Sequence, residues 1–140
     1  MNMKEKALKF LENETHYVIS TVSPKGNSES AFVAFSENEN LEIMIGTSNK
    51  SRKFQNIVNN PRVSIVFGFE GKKSLQYEGN VSVIGEKELE KRLKGHFVKH
   101  PGAIKYQADP DNIYMIVKPL WIRMVESGPR VLGEMRFDSK

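Results

Sequence analysis

Thr47, Ser48 and Ser51 place three hydroxyls within five residues, and Lys50, Arg52 and Lys53 interleave three cations with them. Gly46 precedes this run, and "FQNIVNN" follows it with Phe54, Ile57 and Val58 on one helical face. A strand ending at Gly46-Thr47, then a hydroxyl and cation loop, then a helix N-terminus is a ready anion site. Free backbone N–H groups, the helix dipole and charged donors converge there. Phosphate is the natural ligand. The same residues also suit a solvated turn with an N-cap, and spacing does not choose between the two.

Other groupings with chemical potential are weaker. His96 and His100 in "HFVKH" stand at i and i+4, but the zinc-protease pattern needs Glu where this chain has Phe97, and no third ligand is evident. Structural or surface histidines are expected, and no metal. "GFEGKKS" has two residues between its glycines where a phosphate loop needs four, so it reads as a hairpin turn with a basic tip. No G-x-S-x-G occurs. Cysteine is absent, which excludes disulfides, thiolate metal sites and a thiol nucleophile. Redox chemistry would therefore have to come from a cofactor.

The elements that must position the loop read as follows. Met3, Ala7, Phe10 and Leu11 share a helical face, with Asn2 as a candidate N-cap and Glu5 three residues later. "THYVISTVS" and "SESAFVAFS" flank the turn "PKGN" as a hairpin. After "ENEN" comes a third strand, "LEIMIGT", in which Leu41, Ile43 and Ile45 alternate with Glu42 and Met44. A helix over residues 51–59, capped by Asn49 or Ser51, stops before Pro61. "RVSIVFGFE" and "SLQYEGNVSVIG" form a long hairpin around "EGKK". "EKELEKRLKGHF" is a charged helix with Leu89, Leu93 and Phe97 inward and Glu88–Arg92 and Glu90–Lys94 spaced for ion pairs. "NIYMIVKPLWIRMVES" gives two final strands broken near Pro119. Trp121 is assigned to core or interface packing.

Strands in runs with helices inserted, over 140 residues, predict one mainly β domain covering residues 1–140. It is a six- or seven-stranded antiparallel barrel with accessory helices. No apolar run is long enough to span a membrane, and residues 1–16 carry charges every few positions, so a cytoplasmic protein is expected. A net charge of +4, with the cations mixed among 17 acidic residues, gives no nucleic-acid footprint.

The order strand-"GTSNKSRK"-helix-"NNPRVSIVF", followed by a hairpin whose second strand reads "EGNVSVIG", resembles the split barrel of the pyridoxamine 5'-phosphate oxidase family, which binds flavin mononucleotide (FMN). The likeness spans residues 15–125. It implies a homodimeric FMN protein acting on a small-molecule substrate by flavin-dependent oxidoreduction, with a non-catalytic flavin- or haem-binding stress or sensor protein as the alternative. By position, Gly46 and Thr47 would contact the cofactor, Ser51 would support the site, and Arg52 and Lys53 would be its cationic ligands. The backbone of Phe32, Val33, Ala34 and Phe35 would run along the isoalloxazine ring, with Asn80 near it. No catalytic residue is identified.

The chain departs from the oxidases of that family where they grip substrate. Their second strand carries an Arg for the phosphate and a Lys for substrate, where Ala31 and Ser36 stand here. Their Tyr, Arg and Ser after the second helix correspond to His96, His100 and Ile104, and their C-terminal Arg-x-His pair to Val131 and Gly133. A phosphorylated pyridine would lack most of its charged partners, so the expected substrate is a different molecule.

Overall fold

The computed structural model describes residues 1–69, 71–128 and 130–137. Helix α1, Met3–Glu12, is capped as its sequence predicts: the Glu5 amide donates to Asn2 Oδ1 at 2.9 Å. It buries Ala7 and Leu11 against the sheet. Strand β1, His16–Val22, turns at Gly26 into β2, Ser28–Ala34. The two-residue β3, Ser36–Glu37, and β4, Ile43–Ser48, follow. Helix α2, Arg52–Asn59, leads into the hairpin β5, Arg62–Phe67, and β6, Lys73–Val83. Glu70, within the expected "EGKK" turn, lies outside the described residues. Helix α3, Glu86–Lys99, a 3-10 turn, Pro101–Tyr106, and strands β7, Asn112–Glu126, and β8, Arg130–Arg136, complete the chain.

All pairings are antiparallel in the order β2-β1-β5-β6-β7-β4-β3, with β8 added to β7. The sheet curls into a half-barrel, the mainly β antiparallel architecture expected of a split barrel, with β8 added to a seven-stranded path. Alternation explains its inner face: Tyr17, Ile19 and Thr21 of β1 point inward, as do Val63, Ile65 and Phe67 of β5. Tyr17, Phe35, Phe67 and Tyr77 pack ring against ring at centroid distances of 4.9–5.9 Å. The Tyr77 hydroxyl donates to the Leu41 carbonyl at 2.8 Å. Leu41 itself has φ +61° and a fully buried side chain. That left-handed backbone cannot continue a pleat, so β4 starts two residues later than alternation alone suggests.

The C-terminal half differs from expectation in three places. β7 is one strand of 15 residues, not two broken near Pro119. β6 pairs along its whole length, with a register shift between Glu78 and Gly79 that accommodates the proline. On the other edge β7 pairs with β4 up to Val117 and with β8 from Trp121. Pro119, which has no N–H to donate, sits in the gap between these partners. Strand β8 had no periodic signal of its own. Helix α3, finally, buries His96 most completely, while Leu89, Leu93 and Phe97 are only half-buried. Polar contacts dock it: Arg92 Nη1 lies 3.4 Å from Glu42 Oε1, and Lys99 bonds Glu37. Glu88 and Arg92 approach to 3.8 Å as their spacing predicts.

Gly79 is where the β6–β7 bulge is tightest. A Cβ there would lie 2.5 Å from the Lys118 carbonyl and 2.8 Å from Val117 Cγ1, and backbone on the near side cannot yield cheaply. Gly79→Ala should destabilise the domain by at least about 2 kcal/mol in chemical denaturation. A change of under about 0.5 kcal/mol would show that the bulge relaxes.

Candidate functional site

The hydroxyl and cation loop takes its shape from two fixed ends. On one side β4 pairs with β7, so Gly46 lies opposite Tyr114 and Ser48 opposite Asn112. A Cβ on Gly46 would stand 3.0 Å from Tyr114 Cε1, so glycine lets the ring close over the strand. On the other side Ser51, rather than Asn49, caps α2: the Phe54 amide donates to Ser51 Oγ at 3.1 Å. Thr47 Oγ1 lies 3.2 Å from Ser51 Oγ and also accepts from Lys53 Nζ.

The loop cations are unequal. Lys50 pairs with Asp111 at 3.2 Å, and Arg52 Nε with Glu29 at 3.1 Å. Glu29 Oε1 accepts a further hydrogen bond from Asn56 Nδ2 at 2.7 Å, and Asn56 also reaches Thr21 Oγ1 at 3.0 Å. Lys53 has no carboxylate partner among the described residues, and burial lowers its pKa. An incoming anion would restore what burial removes.

A cavity of about 390 Å³ opens beside this loop, a size that suits a small-molecule ligand. Phe32, Val33, Ala34, Gly46, Thr47 and Lys53, all expected at a cofactor, line it. Ser51 and Arg52 line an adjoining recess of about 140 Å³, and Lys53 lines both. Two expected residues stand apart. The Phe35 side chain is fully buried in the core and its carbonyl accepts from His100 Nε2 at 2.6 Å, whereas Asn80 is exposed on β6 opposite Arg62 and Lys118 and lines neither space. Trp121 likewise lines neither; its indole N–H donates to Glu134 at 2.6 Å.

Ser48 of the loop and His96, which stands where the oxidases grip substrate, also line it, and Ala103, Tyr106, Asp109, Asn112 and Tyr114, which were not assigned to it from sequence, complete it. Asn112 and Tyr114 are two apart in "NIYMIV", so period-two alternation puts them on one face, and pairing of that strand with "LEIMIGT" would have located them. Ser36, where the oxidases carry Lys, bonds His96 Nδ1 at 2.8 Å. The three histidines of the chain gather here: His100 lies 5.2 Å from His96 and 6.0 Å from His16, which stacks on Phe32 at 4.9 Å. Among the described residues no group of three or more His, Asp or Glu could hold a metal ion.

The donor set fits flavin mononucleotide. A cation, three hydroxyls and a capped helix N-terminus suit the phosphate, and Phe32, Tyr106 and Tyr114 give flat apolar surface for a ring system. A half-barrel with a hydroxyl and cation loop at a strand-to-helix junction defines the split-barrel class. The chain belongs to the pyridoxamine 5'-phosphate oxidase family, whose model matches residues 3–126. Solved structures share the fold. A heme binding protein from Mycobacterium smegmatis superposes with a TM-score of 0.86 at 16% identity over 97% of this chain, which spans 58% of that protein. General Stress Protein 26 from Bacillus anthracis str. Sterne gives 0.76 at 23% identity, covering 98% of this chain and 100% of its own. The heme storage protein HutZ from Vibrio cholerae gives 0.70 at 19% identity, covering 85% and 91%. No curated protein matches the chain. No helix among the described residues is long and apolar enough to cross a membrane.

His96 lines the cavity as a neutral imidazole. Burial, then the positive charges of His100, Lys99 and Arg92, lower its pKa from 6.5 to about 4. A base whose folded pKa is depressed stabilises the fold above its unfolded pKa, and that contribution fades as pH falls from 6.5 towards 4. Wild-type protein should therefore lose up to about 3 kcal/mol more stability across this window than His96→Gln. Parallel curves of unfolding free energy against pH for the two proteins would refute the assignment.

Proposed function

We propose that this protein is a cytoplasmic flavoprotein that binds flavin mononucleotide and carries out flavin-dependent oxidoreduction on a small molecule other than pyridoxamine 5'-phosphate. The observation that carries the reading is the convergence of Lys53, Thr47 and Ser51 on one edge of an aromatic-walled cavity. Lys53, without a carboxylate partner among the described residues, holds the phosphate. Arg52, already paired with Glu29, adds less. Phe32 and Tyr114 position the ring and keep water from its face. The bound flavin supplies hydride or single-electron chemistry. His96 is neutral at physiological pH and adds no charge to the pocket.

A calorimetric titration tests this. FMN should bind about tenfold or more tightly than riboflavin, because charge-assisted hydrogen bonds to the phosphate contribute about 1.5–3 kcal/mol each. Lys53→Met should erase most of that preference and Arg52→Ala less of it. Equal affinities for the two flavins would overturn the proposal.

The cavity is also proposed to be completed by a second copy of the chain. Phe32 is 65% exposed although it lines the cavity, and Phe69, 48% exposed, lies 5.6 Å from it. Such an apolar rim beside a ligand site marks an association surface. Sedimentation should give about twice the 16.0 kDa chain mass. A monomer that still holds flavin tightly would overturn it.

A non-catalytic haem-binding role is the second reading, favoured by one feature. His96 lines the cavity uncharged, with Nδ1 fixed by Ser36 Oγ, which leaves Nε2 to serve as an iron ligand. The absorption spectrum of protein loaded with either cofactor separates the two readings.

A further inference from the structure

A concavity of about 830 Å³ lies away from the proposed flavin cavity, between α1 and the sheet end formed by the start of β6, the end of β7 and β8. Lys6 and Lys9 come from one face of α1, Lys72 from the turn before β6, Lys73 from its first residue, and Arg130 from β8. Only two carboxylates line it among the described residues, Glu14 and Glu126, the latter 3.9 Å from Arg130. The described lining thus carries a formal +3, most of the chain's net +4. Beneath the cations the surface is apolar. Met124 is buried, Phe10 and Leu132 are half-buried, and Met1 and Val131 border them.

The walls decide what kind of anion fits. Phe10 is the one aromatic ring in the described lining, and it is wedged against Gly68, where a Cβ would meet Phe10 Cζ at 2.9 Å. A ring so fixed offers no platform for stacking bases in series, as a nucleic-acid site needs. Met, Leu and Val side chains instead make an adaptable aliphatic lining. Gly68 itself has φ +92°, so the hairpin holding the Phe10 ring in place tolerates no side chain there.

We propose that this groove binds a single-chain amphiphile: an alkyl or acyl chain against Phe10, Met124 and Leu132, with a carboxylate or phosphate head among Lys6, Lys9, Lys72, Lys73 and Arg130. The apolar surface contributes burial and the cations select charge. The site is independent of the flavin reading.

Titration of the full chain with monomeric dodecyl phosphate and dodecanoate tests it against two controls, dodecyl maltoside for the tail and inorganic phosphate for the head. Either anionic amphiphile should bind at least about tenfold more tightly than both controls. Which of them binds better identifies the head group. Lys9→Glu with Lys72→Glu should lower that affinity by about tenfold or more, and so should Val131→Asp, which acts on the apolar side. All three positions are exposed, so the thermal midpoint should hold. Equal binding of the neutral detergent, or affinity untouched by all the substitutions, would overturn the proposal. So would retention on phosphatidylglycerol vesicles without uptake of either monomeric amphiphile, since that would describe a membrane-facing surface.

Discussion

The continuity of β7 through Pro119 is the constraint on which the architecture depends. One strand of 15 residues pairs with β6 along one edge and divides the other between β4 and β8. The proline costs a donor, and the bulge beside it, where Leu120 is the extra residue of β7, is accommodated because Gly79 lets the backbones approach. Breaking β7 there would free its first half from the register that sets Tyr114 against Gly46 and Asn112 against Ser48. The cavity wall and the hydroxyl and cation loop would then no longer share a frame.

Polar contacts position α2 and α3 around that frame. Glu29 accepts from Arg52 and Asn56, which ties the first two turns of α2 to β2, while Asn56 reaches β1 through Thr21. Along α3, Arg92, His96 and Lys99 engage Glu42, Ser36 and Glu37 in turn. Partly buried pairs of this kind add little net stability over apolar packing, but an unpartnered charge left behind by a shift would be costly. They therefore specify position. They also shape the electrostatics of the site, because the carboxylate that anchors α2 neutralises one of the two adjacent loop cations.

Local rules made much of this legible in the sequence. The caps at Asn2 and Ser51, the stop before Pro61 and the alternation in β1 and β5 involve residues close in sequence, where propensity and hydrogen bonding act directly. What sequence pattern missed depends on contacts between distant residues. Pro119 reads as a breaker unless the bulge at Gly79 is known. Leu41 reads as a strand residue although its backbone is left-handed. In α3, apolar spacing points to Leu89, Leu93 and Phe97, but the sheet edge it meets offers Ser36, Glu37 and Glu42, so polar partners decide which face is buried. The same reason hid the pairing of Arg52 with Glu29, 23 positions apart. The likeness to a flavin family identified six residues that do line the cavity: Gly46, Thr47 and Lys53 of the local strand-loop-helix junction, and Phe32, Val33 and Ala34 on β2. Of those that the 3-10 turn, α3 and β7 bring in, it pointed only to His96, as the counterpart of a substrate-gripping residue.

The two concavities share one element. Asn112 and Tyr114 of β7 line the cavity beside the hydroxyl and cation loop, and Met124 and Glu126 line the groove beside α1. Ten residues of strand between Tyr114 and Met124 correspond to about 30 Å. β6 pairs along this length, while β4 and β8 cover the two ends of the other edge and leave residues 118–120 between them, where Gly79 closes on Lys118. Coupling between sites requires an element with two discrete arrangements that both ligands bias. In this structure β7 takes a single arrangement, a long paired strand that fixes the spacing of the two concavities.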